Sequence, residues 1–185
     1  DGDTSTNDMA AILCNGLAKN RPIEDADSED YAIFAQHLAE LCQHLARQII
    51  SDGEGATKMI EYRVINAPST EAARQIVRTV SNSTLVKCAI YGQDPNWGRI
   101  LAAAGRAGVD FDPDKAELFI GTAGDLRQVM RNGRATNQNL DEVAELMGES
   151  SLTVHLNLNQ GDGEAIGWGA DLSVEYVQFN SQYST

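Results

Sequence analysis

Tyr31, Phe34, Leu38, Leu41, Cys42, Leu45 and Ile49 recur at steps of three and four, the spacing that lines one face of a helix with apolar side chains. Ser28 stands ahead of this run as a cap and Gly53 just beyond it as a stop. The pattern predicts a long, one-faced helix packed on a sheet. Upstream, Met9, Ile12 and Leu13 predict another helix from Asn7 to about Asn20, capped by Asn7 or Asp8, and the acidic stretch NRPIEDADSED connects the two. Downstream, Ile60, Tyr62 and Val64 alternate with Glu61 and Arg63, which predicts a strand over Met59 to Ala67. Pro68 and Ser69 then open a helix over Thr70 to Ser81.

The apolar run LVKCAIY, Leu85 to Tyr91, predicts a strand that GQDPN breaks. A short helix over Trp97 to Ala104 and a strand near Leu118 to Ile120 come next. Asp141 is the expected cap of a helix over Glu142 to Met147. Leu152, Val154, Leu156 and Leu158 alternate with polar residues, NQGDGEA reads as a hairpin turn, and EAIGWGADLSVEYVQF continues in extended or mixed structure. Helices and strands interleave, so the fold class is α/β to α+β. No internal repeat or low-complexity segment interrupts it.

With 185 residues, a chain can bury roughly 70% of its unfolded surface without a disulfide or metal staple. Hydrophobic residues make up 42% and charged residues 22%, and 14 Lys and Arg against 27 Asp and Glu leave a net charge of −13. Such a chain repels phosphate backbones and anionic lipid, which argues against nucleic acid and membrane surfaces as partners. No apolar run approaches the roughly 20 residues that span a bilayer, and the start shows no basic-then-apolar leader. Cys14, Cys42 and Cys88, widely spaced among apolar neighbours, are expected to be buried thiols in a reducing compartment. The expected location is the cytoplasm.

Three polar motifs can carry chemistry. GDTSTND packs hydroxyls and carboxylates ahead of a helix; it reads as a turn and cap, or as a polar rim facing a substrate. DGEGATK sets Glu54 between two glycines, which let the backbone turn tightly while the carboxylate meets an ammonium group; a helix stop with a solvated Glu is the plainer reading. It lacks the GxxxxGK[ST] spacing of a phosphate-binding loop. In YGQDPNWGRI, Asp94-Pro95 can start a helix, Trp97 can wedge into the core and Arg99 can pair with a carboxylate; Asp94, Asn96 and Arg99 would line a pocket only if the block is more than a connection. His37 and His44, seven residues apart, do not form a metal pair, and His155 falls on the polar face of its strand. HExxH, CxxC and GxSxG are absent, and GDGEA lacks the remaining ligands of a calcium loop.

DGDTSTND at Asp1, DGEGATK at Asp52, LVKCAIYGQDPNWGRILAAAGR at Leu85 and the terminal FNSQYST occur in order along the whole chain. On these motifs the chain strongly resembles the ornithine acetyltransferase family, the bifunctional glutamate N-acetyltransferases of arginine biosynthesis. The resemblance implies acetyl transfer from N2-acetyl-L-ornithine to L-glutamate, with acetyl-CoA as a second donor in bifunctional members and no cofactor. It implies a precursor that cleaves itself before a threonine, whose hydroxyl becomes the nucleophile and whose α-amine is the base. It also implies an N-terminal alpha chain from the same precursor that supplies the oxyanion hole, in a heterotetramer of two alpha and two beta chains.

The implied fold is a layered sandwich of helices on stacked sheets, like that of a self-cleaving aminopeptidase family. Residues 1–58 would belong to the catalytic layered domain, completed by the N-terminal chain, and 59–185 to a C-terminal α+β portion. Because residue 1 is Asp and Thr4 and Thr6 are internal, the expectation is a C-terminal portion truncated at its start, without its nucleophile and inactive alone. Substrate binding carries over to Glu54, Asn180 and Thr185, with Ser184 replacing the family's penultimate threonine. Two alternatives stand beside this reading: a self-cleaving aminopeptidase relative, and a non-catalytic amino-acid-binding module.

Overall fold

Strand β1 (Met59–Ala67) buries Ile60, Tyr62 and Val64 and turns Glu61 and Arg63 to the other face, as the alternation predicts. The computed structural model describes residues 2–3 and 6–182. The chain divides into two compact units, Gly2–Ala46 and Arg47 onward.

The second unit is built on one six-stranded sheet. With β2 (Glu117–Thr122), β3 (Asp125–Arg131), β4 (Arg134–Ala135), β5 (Ser151–Asn157) and β6 (Gly163–Ala170), the strand order is β4-β3-β2-β5-β1-β6. Only β1 and β5 run parallel; the other pairs are antiparallel. Helix α2 (Thr70–Ser81) covers β1 and β6 with Ala73, Ile76, Val77 and Val80, at steps of three and four. The Ser69 hydroxyl accepts from the Ala72 amide at 3.1 Å and caps α2. The core is completed by Leu118, Ile120, Leu152, Val154 and Leu156 of β2 and β5. The fold is the mixed α/β class expected.

Four local expectations are corrected. NQGDGEA is not a hairpin turn, because β1 lies between β5 and β6 and occupies the edge each would need. The segment instead crosses the end of β1 so closely that a Cβ on Gly161 would sit 2.3 Å from the Ala67 carbonyl oxygen, and one on Gly163 2.1 Å from the Ser69 carbonyl carbon. LVKCAIY belongs to helix α3 (Thr84–Tyr91), not a strand. Its buried residues, Val86, Lys87, Ala89 and Ile90, fall on one helical face, and a short apolar run does not distinguish the two periods. Helix α4 (Trp97–Gly105) is capped by Asn96, whose side-chain oxygen accepts from the Arg99 amide at 3.2 Å, so Asp94-Pro95 is not its cap. Helix α5 (Leu140–Leu146) is likewise capped by Asn139 in place of Asp141.

The long helix α1 (Glu29–Ser51) forms where predicted, with the Ser28 hydroxyl accepting from the Tyr31 amide at 3.2 Å. None of its residues is buried, and Leu41 on its apolar face is 54% exposed. The predicted helix after Asn7 is irregular chain, with Leu13 93% exposed. A short helix gains most of its stability from a buried face, and this segment has none. All three cysteines are exposed and unpaired, which overturns the expectation of buried thiols: Cys14 and Cys42 lie on these uncovered segments, and Cys88 points off the buried face of α3.

The sheet face opposite α2 is half-buried and polar. Arg63 and Trp168 donate to Glu61 at 2.8 and 3.1 Å, and the Arg47 guanidinium lies 4.6 Å from the centre of the Trp168 ring. Burial pushes the Glu61 carboxyl up, but the hydrogen bonds from Arg63 and Trp168 and the charges of Arg63 and Arg47 outweigh it and hold it below its usual range. His155 packs edge-on against Phe119, with ring centres 5.7 Å apart, and pairs in register with Arg63. Burial, then the Arg63 charge, lowers its pKa.

The unfolded chain therefore takes up the His155 proton before the folded chain does, as pH falls below about 6.5. This contribution to stability is complete above that pH and is lost as pH falls through the lower folded value. Denaturant unfolding of His155→Gln should thus show a flatter decline in stability below pH ~6.5 than the parent. Equal slopes in both proteins would contradict it.

Candidate functional site

The register of β1 against β6 builds the region around Glu54. Met59 pairs with Ala170, so Lys58 falls beside Asp171, whose amide donates to the Lys58 carbonyl at 3.3 Å. The Asp171 carboxylate, 4% exposed, turns back onto the incoming loop. One oxygen accepts from the amides of Thr57 and Lys58 at 2.8 and 3.0 Å, and the other from the Thr57 hydroxyl at 2.5 Å. A buried carboxylate needs such a full set of donors.

Two residues on, Ser173 is 2% exposed and caps helix α6 (Val174–Gln182) by accepting from the Tyr176 amide at 3.1 Å. The same hydroxyl donates to the Gly55 carbonyl at 2.6 Å. Gly55 has φ +69°, and a Cβ there would lie 2.4 Å from the Tyr176 nitrogen and 2.8 Å from its Cα. Only a glycine lets the loop and the first turn of α6 approach this closely.

Glu54 therefore stands on a loop seated against the start of α6. Its side chain is exposed, and among the described residues no hydrogen bond or ion pair holds the carboxylate. Asn180 lies on α6 four residues beyond Tyr176, about 6 Å along the axis, and its amide donates to the Tyr176 carbonyl at 2.9 Å. The structure thus brings the GEGATK loop and the helix bearing Asn180 together. Thr185 lies outside the described residues, as do Thr4 and Ser5 of the GDTSTND motif.

The third motif joins through Lys87. This residue is 4% exposed, its ammonium donates to the Ala170 carbonyl, and its own carbonyl accepts from the Leu172 amide at 3.4 Å. Burial lowers its pKa, against the nearby charge of Asp171. Asp94, Asn96 and Arg99 serve the α3–α4 connection. Asn96 donates to Asp94 at 3.1 Å, and Arg99 donates to the Leu85 carbonyl at 3.2 Å instead of pairing with a carboxylate. Trp97 packs half-buried against the core, as its predicted wedge requires.

Asp171, Ser173 and Lys87 are not among the residues singled out from the sequence. A serine ahead of a helix is a cap signal for Ser173; nothing local marks Asp171 or Lys87. Among the described residues no group of His, Cys, Asp and Glu is arranged to hold a metal, and no helix is long and apolar enough to cross a membrane. An open polar groove of about 850 Å³, lined by Gln128, Arg131, Arg134 and Thr136, lies at the β3–β4 edge, the opposite end of the sheet from β6.

Comparison with known proteins matches the chain over its whole length. The model of the ArgJ family covers residues 1–185. The arginine biosynthesis bifunctional protein ArgJ of Thermotoga neapolitana is 45% identical over all of this chain and 46% of its own length. That of Dehalococcoides mccartyi is 46% identical over all of this chain and 44% of its own. The chain spans about half the length of the curated relatives it matches. A crystal structure of arginine biosynthesis bifunctional protein ArgJ from Bacillus halodurans superimposes with a TM-score of 0.91 at 37% identity, over 99% of this chain and 84% of that one. With a family model that matches its whole length and a solved structure that superimposes over 99% of it, the chain belongs to the ArgJ family.

Proposed function

We propose that this chain is the C-terminal portion of a cytoplasmic glutamate N-acetyltransferase, which moves acetyl from N2-acetyl-L-ornithine to L-glutamate in arginine biosynthesis. Its span of about half the curated relatives' length supports its being a portion. The observation that carries the reading is the carboxylate of Glu54, exposed and uncommitted, on a loop held against the helix that bears Asn180. Glu54 pairs with the ammonium of ornithine, and Asn180 and Thr185 donate to the substrate carboxylate. Donor and acceptor both present an amino-acid head group, so one polar wall serves both halves of the exchange.

In the proposed reaction a threonine hydroxyl, supplied upstream of the residues described, attacks the acetyl carbonyl while its own α-amine takes the proton. The ornithine amine leaves with a proton, an acetyl-threonine remains, and the glutamate amine then attacks it and regenerates the hydroxyl. Donors from an N-terminal alpha chain stabilise the oxyanion in both steps. Residues 1–58 contribute to the catalytic layered domain shared with that chain, and 59–185 form the C-terminal α+β portion. Two alpha and two beta chains make up the assembly. No cofactor takes part, and acetyl-CoA serves as an additional donor substrate.

The test is transfer of acetyl from N2-acetylornithine to labelled glutamate by the full-length gene product. Labelled N-acetylglutamate is expected. Its absence, with the product folded and processed, would overturn the proposal.

A further inference from the structure

Asp171 and Ser173 flank Leu172, and both spend their polar atoms on the residues just after Glu54. Asp171 grips Thr57 and Lys58, while Ser173 grips Gly55 and in the same hydroxyl caps the helix that carries Asn180. Desolvating a carboxylate and a hydroxyl is unfavourable unless every donor and acceptor is matched, and here the matching groups belong to one short loop. Glu54 itself has no described partner, so its position is inherited from Gly55. Lys87 adds a third anchor, since its ammonium and carbonyl hold Ala170 and Leu172 on either side of Asp171. The GEGATK loop, the LVKCAIY helix and the C-terminal helix therefore meet at a single three-residue segment.

We infer that Asp171-Leu172-Ser173 is the positioning segment of the substrate site: it sets the separation of Glu54 from Asn180, and its residues act on substrate only through those two. This rests on the substrate-binding role proposed above for Glu54. Ser173 is the most informative member, because one oxygen links the loop to the helix. Removing that hydroxyl frees the Gly55 carbonyl and uncaps α6. A device that only stabilised the fold would change the amount of active enzyme and leave the Michaelis constant alone.

The experiment is steady-state kinetics on the full-length, self-processed enzyme with Ser173→Ala, Ser173→Thr and Thr57→Val, each alone and combined with Glu54→Ala. Ser173→Ala should raise KM for N2-acetylornithine about fivefold to tenfold, the scale of one buried hydrogen bond, with kcat nearly unchanged. Ser173→Thr, which keeps the hydroxyl, should restore KM. Thr57→Val removes one of the three donors to Asp171 and keeps both backbone amides on that carboxylate; it should raise KM about twofold to fivefold. In the Glu54→Ala background Thr57→Val should raise KM no further, and Ser173→Ala should raise it by less than it does alone, through the remaining contact of Asn180. Equal fold-changes in both backgrounds, or loss of kcat at constant KM, would overturn the positioning role while leaving that of Glu54 intact. An unchanged KM in Glu54→Ala alone would overturn the binding role itself and the inference with it. If Ser173→Ala does not fold, Thr57→Val decides by the same comparison.

Discussion

Gly55→Ala in the full-length enzyme is expected to raise KM for N2-acetylornithine by more than tenfold. The residue sits at φ +69°, where a Cβ costs roughly 1–2 kcal/mol. Its new methyl would also meet backbone, not a yielding side chain, at 2.4 Å from the Tyr176 nitrogen. Either the loop or the first turn of α6 must move, and each movement changes the distance from Glu54 to Asn180. Gly105→Ala is the control: a Cβ there has nothing within 4 Å, and in a helix alanine is the better residue by roughly 1 kcal/mol. Kinetics and thermal melting of the two variants separate a displaced site from general damage. A Gly55→Ala enzyme with parental KM would refute the close approach as a functional feature.

Glu54→Ala should have the second-largest effect, and a cleaner one. Its carboxylate is exposed with no described partner, so removing it should change stability by no more than about 0.5 kcal/mol. Losing a charge-assisted hydrogen bond to the substrate ammonium costs about 1.5–3 kcal/mol, or a rise in KM of roughly tenfold to a hundredfold. Glu54→Asp, which keeps the charge on a shorter stem, should fall between. The decisive contrast is a large change in KM beside an unchanged melting temperature. Parental KM in Glu54→Ala would count against the proposed role.

Legibility in the sequence followed burial. The strands β1 and β5 and the helix α2 were readable because each buries one face against the core, so its period is written in Ile60, Tyr62 and Val64, in Leu152, Val154 and Leu156, or in Ile76, Val77 and Val80. The α3 segment reads equally as a strand because eight residues with four buried side chains carry too little period to separate the two. β3 and β4 left no alternation, since β3 is half-buried along most of its length and β4 has two exposed residues. The periodic face of α1 predicts a helix correctly; periodicity reports that a face is apolar, not what covers it.

The candidate site shows the same division. Glu54 and Asn180 were reachable through motifs, each a short string on the surface. Asp171 and Ser173 were not, because their bonds to Thr57 and Gly55 join residues 114 and 118 positions apart. Only the antiparallel register of β1 and β6 makes them neighbours. The sequence shows that the glycines flanking Glu54 free the backbone; the reason for Gly55, the backbone of α6 against it, belongs to the fold.

The decisive measurement is a crystal structure of the intact enzyme with N2-acetylornithine bound. The Glu54 carboxylate should lie at hydrogen-bond distance, about 2.7–3.2 Å, from the free ammonium, with Asn180 and Thr185 on the substrate carboxylate. A ligand seated elsewhere, with Glu54 and the C-terminal residues far from it and from each other, would contradict the assignment.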